Sequence, residues 1–366
     1  MSLTIDVAGL PPERLRFAPS PLAELTAMLH ALAEPAHHPA LHGWATATTA
    51  ALPAGLADRL LEADFLWRSS RADFLVPARP AATLAEELDA VDRIDDEQWT
   101  RAALVTTCGS SRLTHRAAGS PLTDPQARAR ARELALARGP RQAAFAERLL
   151  DDPQAVRALV RRLLEDCERT FFADAWRRVL PGLAADARHK ADLLARHGLA
   201  EALAAVSPSL ALADAGTGRE RIVVDKLQDN TASAAAAGGL TFVPSAFGHP
   251  HLVAVHAHGW QPVLQYPAAE AGGADAPPLA VVQQRLEALA HPVRLRLART
   301  LARGPHTTGE LADAWQLTAP EVSRHLAVLR RAGLLTTRRR GRYVLYELDL
   351  PVSARLGGDL LEAVLR

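Results

Sequence analysis

The sequence has very little cysteine and no long apolar run. Its only two cysteines, Cys108 and Cys167, have no further cysteine at metal-binding spacing. Two cysteines cannot build a disulfide framework in a chain of 366 residues, so we expect reduced thiols in a cytoplasmic protein. No apolar stretch approaches the roughly 20 residues that span a bilayer. Residues 1–10 also lack the basic and apolar segments of a secretory signal. These absences argue against a membrane or secreted protein.

The common signatures of catalysis are missing as well. The sequence contains no glycine-rich phosphate loop, no Gly-x-Ser-x-Gly nucleophile elbow and no Cys/His pair at a recognisable spacing. The pattern of residues 108–111 (CGSS) predicts a polar turn of small residues, and no base is evident for a nucleophile there. We therefore expect a protein that is not an enzyme and that binds no cofactor.

Charge is unevenly distributed along the chain. Residues 279–349 contain 12 Arg against 6 Asp and Glu, a net charge of +6, which leaves 30 basic and 35 acidic side chains in the remainder. A hydrophobic content of 48% with 23% charged residues is typical of a globular protein, and the length favours two domains. A basic module joined to a mildly acidic one indicates a nucleic-acid-binding end.

Apolar spacing predicts a mainly α-helical chain with a small antiparallel β-sheet. Helical spacing runs through most of residues 22–206, with a break at Pro181 and Gly182. Short β-branched segments then alternate with Pro, Gly and His, and residues 231–239 read as a loop. The predicted domains are a helical effector or interaction domain (1–206), a β-rich segment with a linker (207–278), a winged helix-turn-helix of α+β type (279–350) and a C-terminal helix for dimerisation (351–366).

The C-terminal module has the pattern of a helix-turn-helix followed by a β-hairpin. Thr-x-x-Glu capping boxes start two short helices, at Thr307 and at Thr318. The second helix places polar side chains near its N-terminal end, where the base edges of the major groove come within reach. The hairpin tip carries arginines that can contact the sugar-phosphate backbone. The predicted DNA contacts are Thr318, Glu321, Ser323, Arg324, His325, Arg338, Arg339, Arg340 and Arg342.

The predicted contacts differ in their chemistry. Thr318 can donate to a phosphate at the helix N-terminus, which itself attracts anions. Arg324 suits the O6 and N7 edge of guanine, and Ser323 can bond to either a base or a phosphate. Glu321 has two interpretations: it caps its own helix, which we favour, or it accepts from the amino group of a cytosine.

These motifs resemble those of the ArsR/SmtB-like winged-helix family. Residues 289–295 (LAHPVRL) are similar to its opening signature, residues 309–312 (GELA) and 322–335 (VSRHLAVLRRAGLL) to its helix-turn-helix, and residues 339–343 (RRGRY) to its wing. The resemblance implies a homodimer that binds an inverted-repeat operator in double-stranded DNA, with helices at both edges of the module at the interface.

The positions that bind metal in members of this family hold no ligand in this sequence. The helix before the turn, residues 309–315 (GELADAW), contains no thiol, and the tail after Pro351 contains no histidine. Metal sensing by the familiar route is therefore not expected.

The first 270 or so residues resemble an uncharacterised domain that precedes ArsR-type winged helices in many high-GC bacteria. The likeness rests on residues 14–25 (RLRFAPSPLAEL), 243–247 (VPSAF) and 266–268 (YPA). It implies an architecture but no ligand, so two roles stay open: control by a small-molecule effector, or a scaffold for protein interaction and oligomerisation. The following aromatic residues either line a pocket or fill the core: Trp44, Phe65, Trp67, Phe74, Phe171, Phe172 and Trp176.

Histidines offer a third possibility, a non-standard metal sensor. The sequence has two His-x-His pairs within ten residues: His249 with His251, and His256 with His258. On a strand alternate residues share a face, so either pair can present two imidazoles to a metal. A looser group of histidines occurs earlier in the chain: His37, His38 and His42. Surface histidines are the commoner outcome, so we predict no metal site and keep the four paired histidines as candidates.

Overall fold

The computed structural model describes residues 2–109, 119–225, 230–268, 277–340 and 343–365. The chain divides into two compact units, Met1–Gly273 and Ala274–Arg366, called here the N-terminal unit and the C-terminal unit. The boundary expected at residue 206 therefore falls inside the N-terminal unit. Within the described residues, no helix is both long and apolar enough to cross a membrane.

The N-terminal unit is mainly helical, as the apolar spacing predicted. Its helices are α1 (Pro21–Ala33), α2 (His42–Ala51), α3 (Ala54–Ala63), α4 (Leu84–Asp92), α5 (Asp96–Cys108), α6 (Pro125–Arg138), α7 (Pro140–Asp151), α8 (Pro153–Cys167), α9 (Ala173–His197), α10 (Leu199–Val206) and α11 (Ala234–Ala237). The break expected at Pro181 is wrong, because Pro181 lies inside α9. A proline there removes one backbone hydrogen bond, and the buried side chains of Leu183 and Ala187 keep the helix packed beyond it.

Aromatic side chains fill the core between these helices. Phe74 is stacked on Trp99 with ring centroids 4.8 Å apart, and Phe65 meets Phe145 edge to face at 4.9 Å. All seven aromatic residues that the sequence left undecided are buried in this cluster or packed against it. The cavity beside Phe74 and Trp99 measures only about 10 Å³, about enough for one water molecule. These aromatic residues therefore form core.

Two four-stranded sheets complete the N-terminal unit. Their strands are β1 (Ser2–Asp6), β2 (Leu15–Phe17), β3 (Leu210–Ala213), β4 (Arg221–Asp225), β5 (Asn230–Ser233), β6 (Leu240–Ser245), β7 (Val253–Val255) and β8 (Val263–Pro267). The strand orders are β3-β4-β1-β5 and β2-β6-β8-β7. Because β1 pairs with β4 and β5, and β2 pairs with β6, the start of the chain completes both sheets. The β-rich segment is thus not a separate domain.

The strand directions differ from the antiparallel sheet that was predicted. β6 runs parallel to both β2 and β8, and only β7 is antiparallel in that sheet. All six residues of β6 are buried, as is usual for a parallel strand covered on both faces. The segment predicted as a loop, 231–239, also contains most of β5 and the short helix α11. Its small residues fit the edge of the other sheet, where composition alone suggested a loop.

The C-terminal unit is a winged helix-turn-helix, as predicted. Its elements are α12 (Leu279–Leu289), α13 (Pro292–Leu301), β9 (His306–Thr307), α14 (Thr308–Trp315), α15 (Ala319–Arg331), β10 (Leu335–Arg340), β11 (Tyr343–Leu348) and α16 (Leu350–Leu365). The strands form an antiparallel sheet in the order β10-β11-β9. The last helix packs against α12, where Arg285 and Asp359 form a largely buried ion pair at 2.8 Å.

Candidate nucleic-acid interface

The first helix of the helix-turn-helix is fixed at both ends. Thr307 Oγ1 accepts from the backbone N–H of Glu310 at 3.2 Å, and Glu310 Oε2 accepts from the N–H of Thr307 at 2.7 Å. This is the complete capping box that the sequence predicted, and it holds the pKa of the Glu310 carboxyl below its usual value. The helix ends at Gln316, which takes a left-handed conformation with φ +53°. The turn between α14 and α15 starts from that residue.

The second helix, α15, has one buried face and one exposed face. Val322, Leu326 and Leu329 are at most 1% exposed and pack into the core of the C-terminal unit. Ser323 and Arg324 lie off this stripe and are exposed, because residues one and two positions apart face different directions on a helix. The buried stripe therefore fixes which side chains the helix presents to a partner.

The N-terminus of α15 has only half of the predicted capping box. Thr318 Oγ1 accepts from the N–H of Glu321 at 3.3 Å, but the Glu321 carboxylate makes no return bond to the N–H of Thr318. The capping role that we favoured for Glu321 is therefore not formed. Pro320 occupies the first turn, where a missing N–H costs nothing. The half-exposed carboxylate can still accept from a ligand at this end of the helix.

His325 is the least accessible of the predicted contacts on this helix. Its ring is half-buried and lies 4.9 Å from the ring of His291, which caps α13. Burial, followed by the positive field of neighbours such as His291, lowers the pKa of His325. The side chain packs partly inside the unit, so it is available to a partner only at its edge.

The wing carries exposed arginines along β10. Arg338, Arg339 and Arg340 are exposed and pair across the hairpin with Leu345, Val344 and Tyr343. Alternate residues on a strand face opposite sides, so Arg338 and Arg340 share one face and Arg339 takes the other. Among the described residues, no acidic side chain forms an ion pair with any of these three arginines or with Arg324. The fourth predicted wing contact, Arg342, lies outside the described residues.

The paired histidines are not arranged as predicted. His249 and His251 precede β7, and His256 and His258 follow it, so neither pair lies on a strand. Strand alternation therefore does not bring either pair to a common face. Of the four, only His251 joins a group of possible metal ligands in the described part of the chain, and its companions are two residues that no pair included.

Those companions are His30, in the last turn of α1, and His37, in the short turn that follows it. His37 stood in the looser histidine group, whereas no local signal pointed to His30. Burial, and then the positive charge of Arg71, lower the pKa of His30 to about 2, so this imidazole is neutral. His42, the third member of the looser group, is exposed and lies outside the cluster.

A family model matches residues 1–272, which is most of the chain and all but one residue of the N-terminal unit. The chain belongs to the family of unknown function DUF5937. A second model, described as a helix-turn-helix domain, matches residues 289–338, which span α13 to most of β10. The order of the two domains is the one that the sequence resemblance implied.

The C-terminal unit is similar to known repressors. It is 45% identical over 71 residues to the biofilm growth-associated repressor of Agrobacterium fabrum, covering 19% of this chain and 61% of that one. It is 44% identical over 63 residues to the HTH-type transcriptional repressor SmtB of Mycobacterium tuberculosis, covering 17% and 47%. The resemblance to the ArsR/SmtB-type winged helix is thereby confirmed, over about half to three fifths of each relative's length.

Among solved structures, the transcriptional repressor BigR from Xylella fastidiosa shares 38% identity with this chain. The match covers 22% of this chain and 81% of that one, with a TM-score of 0.19, which is too low to compare the folds.

Proposed function

We propose that this chain is a DNA-binding transcription regulator that acts in the cytoplasm, with α15 in the major groove and the β10–β11 wing on the phosphate backbone. The observation that carries the proposal is the exposed face of α15. Ser323 and Arg324 stand near its N-terminal end, on the same unit as an exposed arginine strand that no described acid neutralises. The similar proteins are named as repressors, which supports the same reading.

The exposed residues divide into those that specify a sequence and those that position the protein. Arg324 carries a forked guanidinium that matches the O6 and N7 acceptors of guanine, and such contacts discriminate between bases. Arg338 and Arg340 meet phosphates, which are the same for every sequence. Thr318 at the helix N-terminus adds a donor next to the positive end of the helix dipole.

The regulator is proposed to act as a homodimer on an inverted repeat. Apart from those on the wing, five large apolar side chains of the C-terminal unit are 39–61% exposed: Leu279, Leu286, Leu295, Leu350 and Val364. They lie on α12, α13 and α16, the helices outside the helix-turn-helix pair. Apolar side chains of this size concentrate at protein contacts, and a second copy related by a two-fold axis covers them and aligns two recognition helices.

The N-terminal unit is proposed to control DNA binding in response to a small ligand. A ligand shifts such an equilibrium only if it binds the two states with different affinity. Because the aromatic core is filled, we expect the ligand to bind at polar residues of this unit. A scaffold without a ligand is the second candidate, favoured by Leu61 and Leu136, which are 56% and 67% exposed.

The proposal is tested by fluorescence anisotropy with the full chain and a labelled duplex from its own promoter region. We expect two chains per duplex. Arg324→Ala should weaken binding by about 1–3 kcal/mol, roughly 5- to 150-fold, and relax the preference at one base pair. Arg219→Ala removes an exposed arginine of the N-terminal unit and should leave binding unchanged. Equal affinity and equal base preference in wild type and Arg324→Ala would contradict the proposed role of α15.

A further inference from the structure

We propose that the N-terminal unit holds a divalent transition-metal ion on the imidazoles of His30, His37 and His251. One ligand nitrogen from each ring lies within 4.8 Å of the other two. The Nε2 atoms of His30 and His251 are 3.1 Å apart. Tetrahedral zinc with Zn–N bonds of about 2.0–2.1 Å places two nitrogens roughly 3.3 Å apart. One pair is thus already near ligand spacing, and the ligand nitrogen of the third ring lies within 4.8 Å of both.

The protein fixes which nitrogen of His30 faces this centre. Nδ1 of His30 lies 3.0 Å from the carbonyl oxygen of Trp67, and a carbonyl oxygen can only accept a hydrogen bond. Nδ1 therefore carries the proton, and Nε2 presents a lone pair toward His251. Metal-bound histidines are typically oriented in this way by a bond from their other ring nitrogen.

Two buried ring nitrogens, one in the cluster and one beside it, lack a hydrogen-bond partner among the described residues. They are Nδ1 of His37 and Nε2 of His38. Buried polar atoms in folded proteins are nearly always hydrogen-bonded, and an exception calls for an explanation such as an ion.

His38 acts as a positioning residue beside the three ligands. It is 2% exposed, and its Nδ1 donates to the carbonyl oxygen of His249 at 2.6 Å. Its ring stands edge-on at 5.0 Å from His251 and 5.1 Å from His30. The bond ties the turn after α1 to the loop before β7, so His37 and His251 are brought to the same place.

The ligand chemistry selects the class of metal. Imidazole nitrogens suit Zn²⁺, Ni²⁺ and Cu²⁺, whereas Mg²⁺ and Ca²⁺ take oxygen ligands. Imidazole ligands bring no negative charge, and the buried guanidinium of Arg71 adds a positive one near His30. The site therefore requires an ion with high affinity for imidazole itself. Three protein ligands also leave a fourth position open to water or to a small ligand.

The site is separate from the DNA-binding machinery of the C-terminal unit. Metal binding can be measured without DNA, so the test of the metal site does not depend on whether the chain binds DNA. Its use as the signal that controls DNA binding rests on the proposed function.

The site is tested with untagged full chain that has been stripped with a chelator. Calorimetric titration with Zn²⁺ should give one ion per chain, and Co²⁺ should give the absorption of a nitrogen-ligated ion. We expect at least about a tenfold loss of affinity in His37→Ala and in His251→Ala, since both remove a ligand. His42→Ala, an exposed neighbour, and His256→Ala, from the other His-x-His pair, should bind like the wild type.

Circular dichroism without metal shows which variants fold, and His251→Gln, which keeps the bulk and polarity of the side chain, replaces any alanine variant that does not. Folded wild type that binds no Zn²⁺ overturns the site, as does wild-type affinity in folded variants of His37 and His251. Loss of binding in His256→Ala would overturn it too.

Promoter-DNA affinity with and without Zn²⁺ then tests the regulatory use. A change of about tenfold or more supports the metal as the signal. A chain that binds both Zn²⁺ and DNA without coupling them overturns that use alone, whereas a chain that binds Zn²⁺ but no DNA overturns the proposed function.

Discussion

The two units of this chain place their informative residues differently. In the C-terminal unit the polar side chains proposed to contact DNA are exposed on α15 and β10, close together in the sequence. In the N-terminal unit the notable polar side chains are buried or half-buried, and they come from distant parts of the chain: His30 and His251 meet although 221 residues separate them. The C-terminal unit thus exposes its functional polar side chains, whereas the N-terminal unit buries them.

The difference shows why the candidate site of the C-terminal unit can be predicted from its sequence and the histidine cluster of the N-terminal unit cannot. The helix-turn-helix is built from local signals, namely caps, a buried stripe and a turn, each contained in a few residues. The histidine cluster depends on the contact between α1 and the loop before β7, which no local pattern specifies. Tertiary structure alone creates that site.

The largest expected contrast concerns the aromatic core of the N-terminal unit. Phe74 is 1% exposed and stacked on Trp99, so Phe74→Ala should destabilise the protein by about 3–5 kcal/mol. Leu61→Ala removes an apolar side chain that is 56% exposed and should cost no more than about 0.5 kcal/mol. Urea unfolding followed by circular dichroism measures both. A cost below about 1 kcal/mol for Phe74→Ala would mean that the ring lines open space and does not fill a core.

A smaller effect separates the two units by their response to pH. Burial raises the pKa of the Glu24 carboxyl, in α1, from its ordinary value of 4.5 to about 7. The folded state then favours the protonated form, so this contribution to stability is present below about pH 4.5 and is lost as the pH rises through 7. The amount is about 3 kcal/mol. The lowered pKa of Glu310, in the C-terminal unit, works in the opposite direction.

Urea unfolding at pH 5 and pH 8 checks the sign. Wild type should be less stable at pH 8 in the transition of the N-terminal unit, and Glu24→Gln should reduce that difference. A remainder should persist, because burial also raises the pKa values of Asp73 and Glu87 to about 7. The amide keeps an acceptor for the N–H groups of Ala246 and Phe247, which now bond Glu24 Oε1. Identical pH dependence in wild type and variant would show that Glu24 does not titrate in this range.

Much of the fold could be predicted from the sequence, because the spacing of apolar residues indicates where helices form. The winged helix and the helical character of the N-terminal unit were both found in this way. The sheets were less accessible: β6 is buried on both faces and shows no alternation, and β1 pairs with strands more than 200 residues away. The helix break predicted at Pro181 was wrong, because packing outweighs the loss of a single hydrogen bond.

The candidate sites also differ in whether a local sequence pattern predicts them. The exposure of Ser323 and Arg324 follows from the period of α15. The capping role of Glu321 depended on a side-chain rotation that spacing does not determine. Of the metal candidates, His251 was named for a reason that proved wrong, since it is not on a strand. Its neighbours in the structure, His30 and His37, are separated from it along the sequence by most of the N-terminal unit.

The salt dependence of binding to promoter DNA tests the central claim most directly. A wing on the phosphate backbone predicts that log K falls linearly with log salt, with a slope of about 0.9 per phosphate contacted. Replacing Arg338, Arg339 and Arg340 together by Gln should reduce that slope by about 2 for each chain, or about 4 for a dimer on the duplex, because two of the three share a face. Arg219→Gln should leave it unchanged. Salt-independent binding by the wild type, or an unchanged slope in the triple variant, would contradict a DNA-binding wing.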